Sequence, residues 1–152
     1  MRIVRAQPAD APALSAVAWA AKAHWGYPAF WLEQWRNQLT ITADFIATNE
    51  IFAAVTDGQI TGFYGLVARG DVMRLEHLWV LPHAIGRGIG ETLFQRAAAR
   101  ARALGFARLT IEADPNAEGF YLRMGAVRTS LLATEIEGQR RELPLLTYNL
   151  SS

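Results

Sequence analysis

The chain has 152 residues, of which 51% are hydrophobic and 19% charged, and its 15 basic and 14 acidic side chains leave a net charge of +1. That length fits one domain, and the apolar share is enough to bury a core, which excludes a disordered chain. The even charge balance speaks against a general nucleic-acid binder, and the absence of cysteine excludes a disulfide, a thiolate metal ligand and a cysteine nucleophile. His24, His77 and His83 lack the close spacing of a zinc site, so no metal is expected. The first ten residues, MRIVRAQPAD, are polar and strand-like and do not read as a signal peptide. The longest apolar stretch, 14–23, is too short for a membrane span and contains Lys22. A soluble cytoplasmic protein is the expectation. Of the 15 basic residues 14 are arginine, which reads as genome composition.

Residues 2–6 (RIVRA) read as a first short strand, and Asp10 stands where a helix N-cap is wanted. The run 11–23 is compatible with a helix stopped near Gly26, and 28–39 reads as a second helix. EIFAAVTD and QITGFYGLVARGD are rich in strand formers and meet at Asp57-Gly58, a strong hairpin signal. A turn at Gly70-Asp71 leads into VMRLEHLWVLP, a third run of this meander. After Pro82 the period changes. Ile89, Leu93, Ala97, Ala101 and Leu104 recur at helical spacing, and Gly105 is a C-terminal stop. ARLTIEA (107–113) is a strand, and NAEGFYLRM (116–124) is a short helix. Runs 126–136 and 141–149 are strands flanking the turn EGQR. The order β-α-α-β-β-β-α-β-α-β-β describes one α/β domain over 1–152 with a mixed sheet. The crossover through the long helix makes strands 72–80 and 107–113 parallel.

Between that third strand and the long helix lies Ile85-Gly86-Arg87-Gly88-Ile89-Gly90. A loop entering a helix presents unpaired N–H groups and the positive end of the helix dipole. Glycines let the main chain take positive φ and approach an anion closely, so the loop suits a phosphate. The spacing is neither the G-x-G-x-x-G dinucleotide fingerprint, since Glu91 stands at the third position, nor a Walker loop, which needs G-K-[S/T].

LWVLP (78–82) followed by this loop resembles the signature of the GCN5-related N-acetyltransferase (GNAT) family, a strand ending in V-x-P and then [Q/R]-x-x-G-x-[G/A] at a helix start. A second phrase, N-A-x-x-F-Y-x-x-x-G, is matched by 116–125, and the element order agrees over the whole chain. Ile85 departs from the Gln or Arg usual at its position, with Arg87 as a replacement cation for phosphate. The resemblance implies an α/β fold with a mixed, mostly antiparallel central sheet flanked by helices and a splayed parallel strand pair. It implies acetyl-CoA as co-substrate. The amides of Gly86, Arg87, Gly88, Ile89, Gly90 and Glu91 would take the pyrophosphate, and the main chain of Leu78, Trp79 and Val80 the pantetheine arm.

The same resemblance assigns Tyr121 to the leaving thiolate, as acid or hydrogen-bond donor, against a plain reading as a core tyrosine beside Phe120. It makes Glu76 the candidate base, its carboxyl raised in pKa by desolvation between Leu75 and Leu78; the plain alternative is a pair with Arg74 or another arginine. His77, on the opposite face by strand alternation, is the competing base or a packed residue. Asn116 reads as a cap of the short helix that also reaches coenzyme A. His83 reads as a solvated loop residue, and Arg96, Arg100 and Arg102 as a solvated helix face. Four of the five tryptophans crowd into 19–35, a core or dimer surface in the bland reading. In the family this segment walls the acceptor site, which makes His24, Trp25 and Tyr27 candidate acceptor contacts and favours an apolar, aromatic or cationic acceptor; His77, on the third strand of the meander, is a further candidate contact. The reading that follows is direct acetyl transfer to an amine of a small molecule, without covalent intermediate or metal. The expected partners are that acceptor and a second copy of the chain, with no nucleic acid and no membrane. The rivals are a non-catalytic acyl-CoA-binding module, transfer to a hydroxyl or of a longer acyl chain, and a protein or peptide N-acetyltransferase.

Overall fold

The computed structural model describes residues 1–151. The strands are β1 (Arg2–Arg5), β2 (Glu50–Thr56), β3 (Gln59–Arg69), β4 (Val72–Val80), β5 (Arg108–Glu112), β6 (Val127–Ile136) and β7 (Gln139–Asn149). The helices are α1 (Ala11–Ala23), α2 (Ala29–Gln34), α3 (Arg36–Leu39), α4 (Ala43–Thr48), α5 (Ile89–Ala103) and α6 (Glu118–Arg123). The sheet order is β1-β2-β3-β4-β5-β7-β6. β4 and β5 run parallel, in a short ladder of Met73 with Leu109 and Arg74 with Thr110. This is the mixed, mostly antiparallel sheet expected from the sequence. No helix among the described residues is long and apolar enough to cross a membrane. The chain falls into two compact units, residues 1–65 with 77–94, and residues 66–76 with 95–152.

In the first unit β1 pairs antiparallel with β2, Arg2 opposite Val55 and Arg5 opposite Phe52. Arg5 fastens the start of β2, its guanidinium 3.0 Å from Glu50 and donating to the Asn49 carbonyl at 2.6 Å. The buried stripe of α1, Leu14, Val17, Ala18 and Ala21, follows the i, i+3, i+4, i+7 spacing of a helix face. Leu14, Val17 and Ala18 of this stripe pack with Ile41, Ile46, Ile51, Ala53 and Phe63 into one core. The β2–β3 hairpin turns through Asp57 and Gly58, both at positive φ (51° and 77°), as a D-G signal requires.

Three local readings are corrected here. Asp10 is the N-cap residue of α1 by position, but its side chain makes no cap bond there; its carboxylate accepts the Gln7 N–H at 2.8 Å and closes the 3-10 turn Pro8–Asp10. The single helix expected over 28–39 breaks at Trp35, whose φ of −91° and ψ of 0° leave the α region between α2 and α3. Helix α4 was not anticipated; Thr42 starts it by accepting the Phe45 N–H at 3.0 Å, a capping signal that the sequence carries.

In the second unit β5 and β7 pair antiparallel from Arg108–Asn149 to Glu112–Leu145, and β7 pairs in turn with β6. The β6–β7 hairpin turns at Glu137 and Gly138 (φ 48° and 77°), and a bulge between Arg128 and Ser130 shifts the register of β6. Helix α6 follows β5 through the 3-10 turn Pro115–Ala117.

Candidate active site

Backbone constraint organises the loop at 85–91. Gly86 and Gly88 take φ of 88° and 78°, where side chains are strained, and a Cβ on either would meet nothing within 4 Å. The main chain is therefore bent into an exposed turn with open space over it. Thr92 N–H reaches the Gly88 carbonyl at 3.0 Å, so the i−4 ladder of α5 is under way at Thr92 and the main chain just before it forms the head of the helix. The helix is 15 residues long, so its dipole adds to the seat. The geometry fits a pyrophosphate. Arg87 is exposed, and Ile85 is 53% exposed, so the departure at Ile85 puts an apolar side chain in solvent instead of a cation. His83 is likewise exposed.

A glycine that the sequence reading passed over supports this seat. A Cβ on Gly62 would stand 2.8 Å from the Trp79 carbonyl oxygen, 3.1 Å from Leu93 and 3.4 Å from Ile89. Gly62 thus lets the β4 main chain and the first turn of α5 close on β3. Leu81 N–H donates to the Thr61 carbonyl at 2.8 Å beside it. QITGFYG reads as an ordinary strand, and nothing local marks this close approach.

On β4, Leu78, Trp79 and Val80 are half-buried. His77 lies against Phe45 and Phe63, at centroid distances of 5.6 and 5.8 Å. Its Nδ1 accepts the Trp79 indole N–H at 2.9 Å. Indole nitrogen can only donate, so Nδ1 is the unprotonated nitrogen and the ring proton sits on Nε2. This arrangement gives His77 no lone pair to act as base; it is a packed, oriented residue.

Glu76 lies in the second unit and is not isolated among apolar side chains, as the desolvation argument supposed. Its Oε2 stands 2.8 Å from Arg74 Nε and 4.0 Å from Arg69 Nη2. The Arg74 contact is an ion pair whose angle is too poor for a hydrogen bond. Arg74 also donates to Glu112 at 2.7 Å, so one guanidinium holds two carboxylates beside the β4–β5 ladder. Both ion pairs of Glu76 use Oε2, and no hydrogen bond reaches Oε1 among the described residues. Glu112 was not singled out in the sequence.

Tyr121 on α6 is buried, 7% exposed. Burial pushes its hydroxyl well above the ordinary tyrosine range, and the Asp114 carboxylate adds to the rise. The phenol is therefore held protonated, as a donor. Asp114 is the organising residue here. Its Oδ1 accepts Asn116 N–H at 2.8 Å and Asn116 Nδ2 at 3.0 Å, and its Oδ2 stands 3.8 Å from Arg141 on β7. Asn116 is thus not the cap expected of it; Asp114 caps the turn and Asn116 donates to it. Glu118 at the head of α6 receives both Arg128 nitrogens, at 2.6 and 2.5 Å, which holds its carboxyl below the ordinary range. Asp114 and Arg141 were also missed, because their pairing joins distant parts of the chain.

Of the acceptor candidates, His24 and Trp25 are exposed, with ring centroids 5.8 Å apart, and Tyr27 is half-buried. Tyr27 joins Trp31 and Trp35 in one aromatic group.

The model of the acetyltransferase (GNAT) family matches residues 13–126. Peptidyl-lysine N-acetyltransferase YiaC of Escherichia coli (strain K12) is 29% identical over 94 residues, 61% of this chain and 62% of that protein, so the match spans less than two thirds of the relative. Two solved structures share the fold. PaiA N-acetyltransferase of Thermoplasma acidophilum, in complex with coenzyme A, superposes with a TM-score of 0.79 at 17% identity, covering 97% of this chain and 98% of that one. A GCN5-related N-acetyltransferase of Rhodopseudomonas palustris gives 0.78 at 24% identity, covering 97% and 94%. The glycine loop and the Tyr121 phrase both fall inside the matched residues, and the chain belongs to the acetyltransferase (GNAT) family.

Proposed function

We propose that the protein transfers the acetyl group of acetyl-CoA directly to an amine of a small molecule, as one catalytic domain spanning 1–152. The observation that carries this is the open glycine loop at the head of α5, whose positive-φ residues and helix-start main chain suit a pyrophosphate. A coenzyme A complex in a neighbour of the same fold supports it. Acetyl-CoA supplies an activated thioester. The main chain of Leu78, Trp79 and Val80 orients its pantetheine arm, and an N–H of this strand stabilises negative charge on the carbonyl oxygen. Oε1 of Glu76 takes the amine proton, directly or through a water, while Arg74 holds Oε2. Tyr121, kept protonated by burial, donates to the departing sulfur. His24, Trp25, Tyr27 and His77 wall the acceptor.

A second reading, a lysine side chain of a peptide as acceptor, is favoured by the name of the Escherichia coli relative. Titration calorimetry with acetyl-CoA tests the shared part. Saturable binding is expected in the wild type and is expected to vanish in a folded Gly88→Glu variant, which puts a carboxylate where the phosphate belongs. No binding by folded wild type refutes the acetyl-CoA reading and leaves a repurposed fold. Thiol release with small amines and with lysine peptides then separates the two acceptors.

A further inference from the structure

The crowded segment from the end of α1 to α2 contains a group of rings to which the transfer steps above assign no ligand of stated charge. Lys22, on the last turn of α1, places its ammonium 4.3 Å from the Trp35 ring centroid and 5.2 Å from that of Tyr27. The two rings stand at 81° with centroids 5.0 Å apart, so they form a corner whose faces both look at the charge. Trp31 fixes the corner, stacked on Tyr27 at 5.8 Å and edge-on to Trp35 at 6.0 Å. Lys22, Tyr27, Trp31 and Trp35 are all half-buried, and Trp25 and Phe30 nearby are 41% and 57% exposed.

Lys22 is the only lysine in a chain whose other 14 basic residues are arginine. Elsewhere in the segment an arginine performs the helix-to-helix contact: Arg36 lies 4.6 Å over Trp19 of α1 while its fork holds Glu33. A planar guanidinium covers one ring face, whereas an ammonium is a compact charge on a flexible stem that fits between two. The single departure from arginine therefore coincides with a place where two rings converge on a cation.

We propose that the Tyr27–Trp31–Trp35 corner is a binding site for a small alkylammonium group, and that Lys22 occupies it as an internal, displaceable stand-in. The ligand class is a protonated or methylated amine whose cationic end lies in the corner. Where acetyl transfer holds, this selects acceptors that carry a second cationic group besides the amine that reacts, a step that rests on the function proposed above.

The test uses the full chain and tetramethylammonium as probe, with neutral tert-butanol as control, read by tryptophan fluorescence. Lys22→Met keeps the stem and removes the competing charge. The expected result is saturable tetramethylammonium binding about tenfold tighter in Lys22→Met than in wild type, in line with a desolvated cation–π contact. Trp35→Leu should abolish the response in either background. A folded Lys22→Met that shows no saturable response, or responds equally to tert-butanol, overturns the proposal. If Lys22→Met does not fold, the wild type titrated to higher probe concentration decides it: a saturable response lost in Trp35→Leu supports the site, and none refutes it. This arm needs no acetyl-CoA, so it stands or falls separately from the transferase reading. A kinetic arm reads that reading as well: Trp35→Leu should raise KM for diammonium acceptors about tenfold while leaving neutral-tailed amines unchanged.

Discussion

The proposed anion seat in the first unit and the Tyr121 helix in the second are built by opposite means. The seat is main chain: glycines 86 and 88 at positive φ, the head of α5, and Gly62 clearing room beneath it. Tyr121 is placed by side chains from elsewhere in its unit, through Asp114 to Arg141 and Glu118 to Arg128. A site made of main chain is lost by adding atoms, and a site held by side chains is lost by removing them. Each prediction below breaks one side of that contrast.

The largest effect is expected from a single oxygen. Tyr121→Phe keeps the buried ring and removes only the donor, so turnover should fall by about 10²-fold with little change in KM. Steady-state kinetics of the folded variant checks it, and wild-type turnover would remove Tyr121 from the chemistry. Next comes an addition. Gly62→Val drives a branched side chain against the Trp79 carbonyl oxygen, which stands 2.8 Å from the Cβ position and is main chain that cannot swing away. Overpacking of this kind costs about 1–3 kcal/mol, so acetyl-CoA affinity should fall roughly tenfold to hundredfold as β4 and the first turn of α5 shift. Calorimetry and urea unfolding together separate a displaced seat from a lost fold.

Asp114→Asn probes charge alone, because the amide oxygen can still accept the Asn116 N–H. Burial, the larger cause of the raised Tyr121 value, remains, but the smaller contribution of the Asp114 charge is removed. In the proposed mechanism the phenol is the active form, so activity is present below its pKa and lost as pH rises through it. The alkaline limb of the pH–rate profile, which burial and the Asp114 charge hold above the ordinary tyrosine range in the wild type, should therefore move down in Asp114→Asn. Turnover at neutral pH should drop by less than about tenfold, since each pKa unit amounts to about 1.4 kcal/mol. An unmoved limb would show that the carboxylate does not act on Tyr121.

The same contrast decides what could be read from the sequence. Gly86 and Gly88 were legible because positive φ leaves a trace in composition, and so were the turns at Asp57-Gly58 and Glu137-Gly138. Most strands and α1 followed from periodicity. Gly62 was not legible: its need for a missing Cβ comes from a carbonyl in another strand. The arginine contact of Glu76 was weighed from its neighbour Arg74, but the bridge on to Glu112 follows from strand pairing. Asp114 and Arg141 meet only because β7 returns beside the end of β5. The break at Trp35 follows tertiary packing of rings that local propensity does not register.

The smallest effect is the sharpest check on which side chains place Tyr121. Arg128 and Glu118 make a two-pronged ion pair, yet the arginine side chain is 47% exposed and that of the glutamate 17%. Arg141 and Asp114 make a longer contact, with side chains only 12% and 7% exposed. Water screens the first pair, and surface pairs contribute little to stability whatever their geometry in a static structure. Arg128→Ala should therefore leave turnover and the alkaline limb unchanged and lower stability only slightly, with the difference shrinking further at high salt. If Arg128→Ala instead shifts kcat as Asp114→Asn does, bond geometry outweighs burial in holding α6, and the exposed pair joins the positioning machinery of Tyr121.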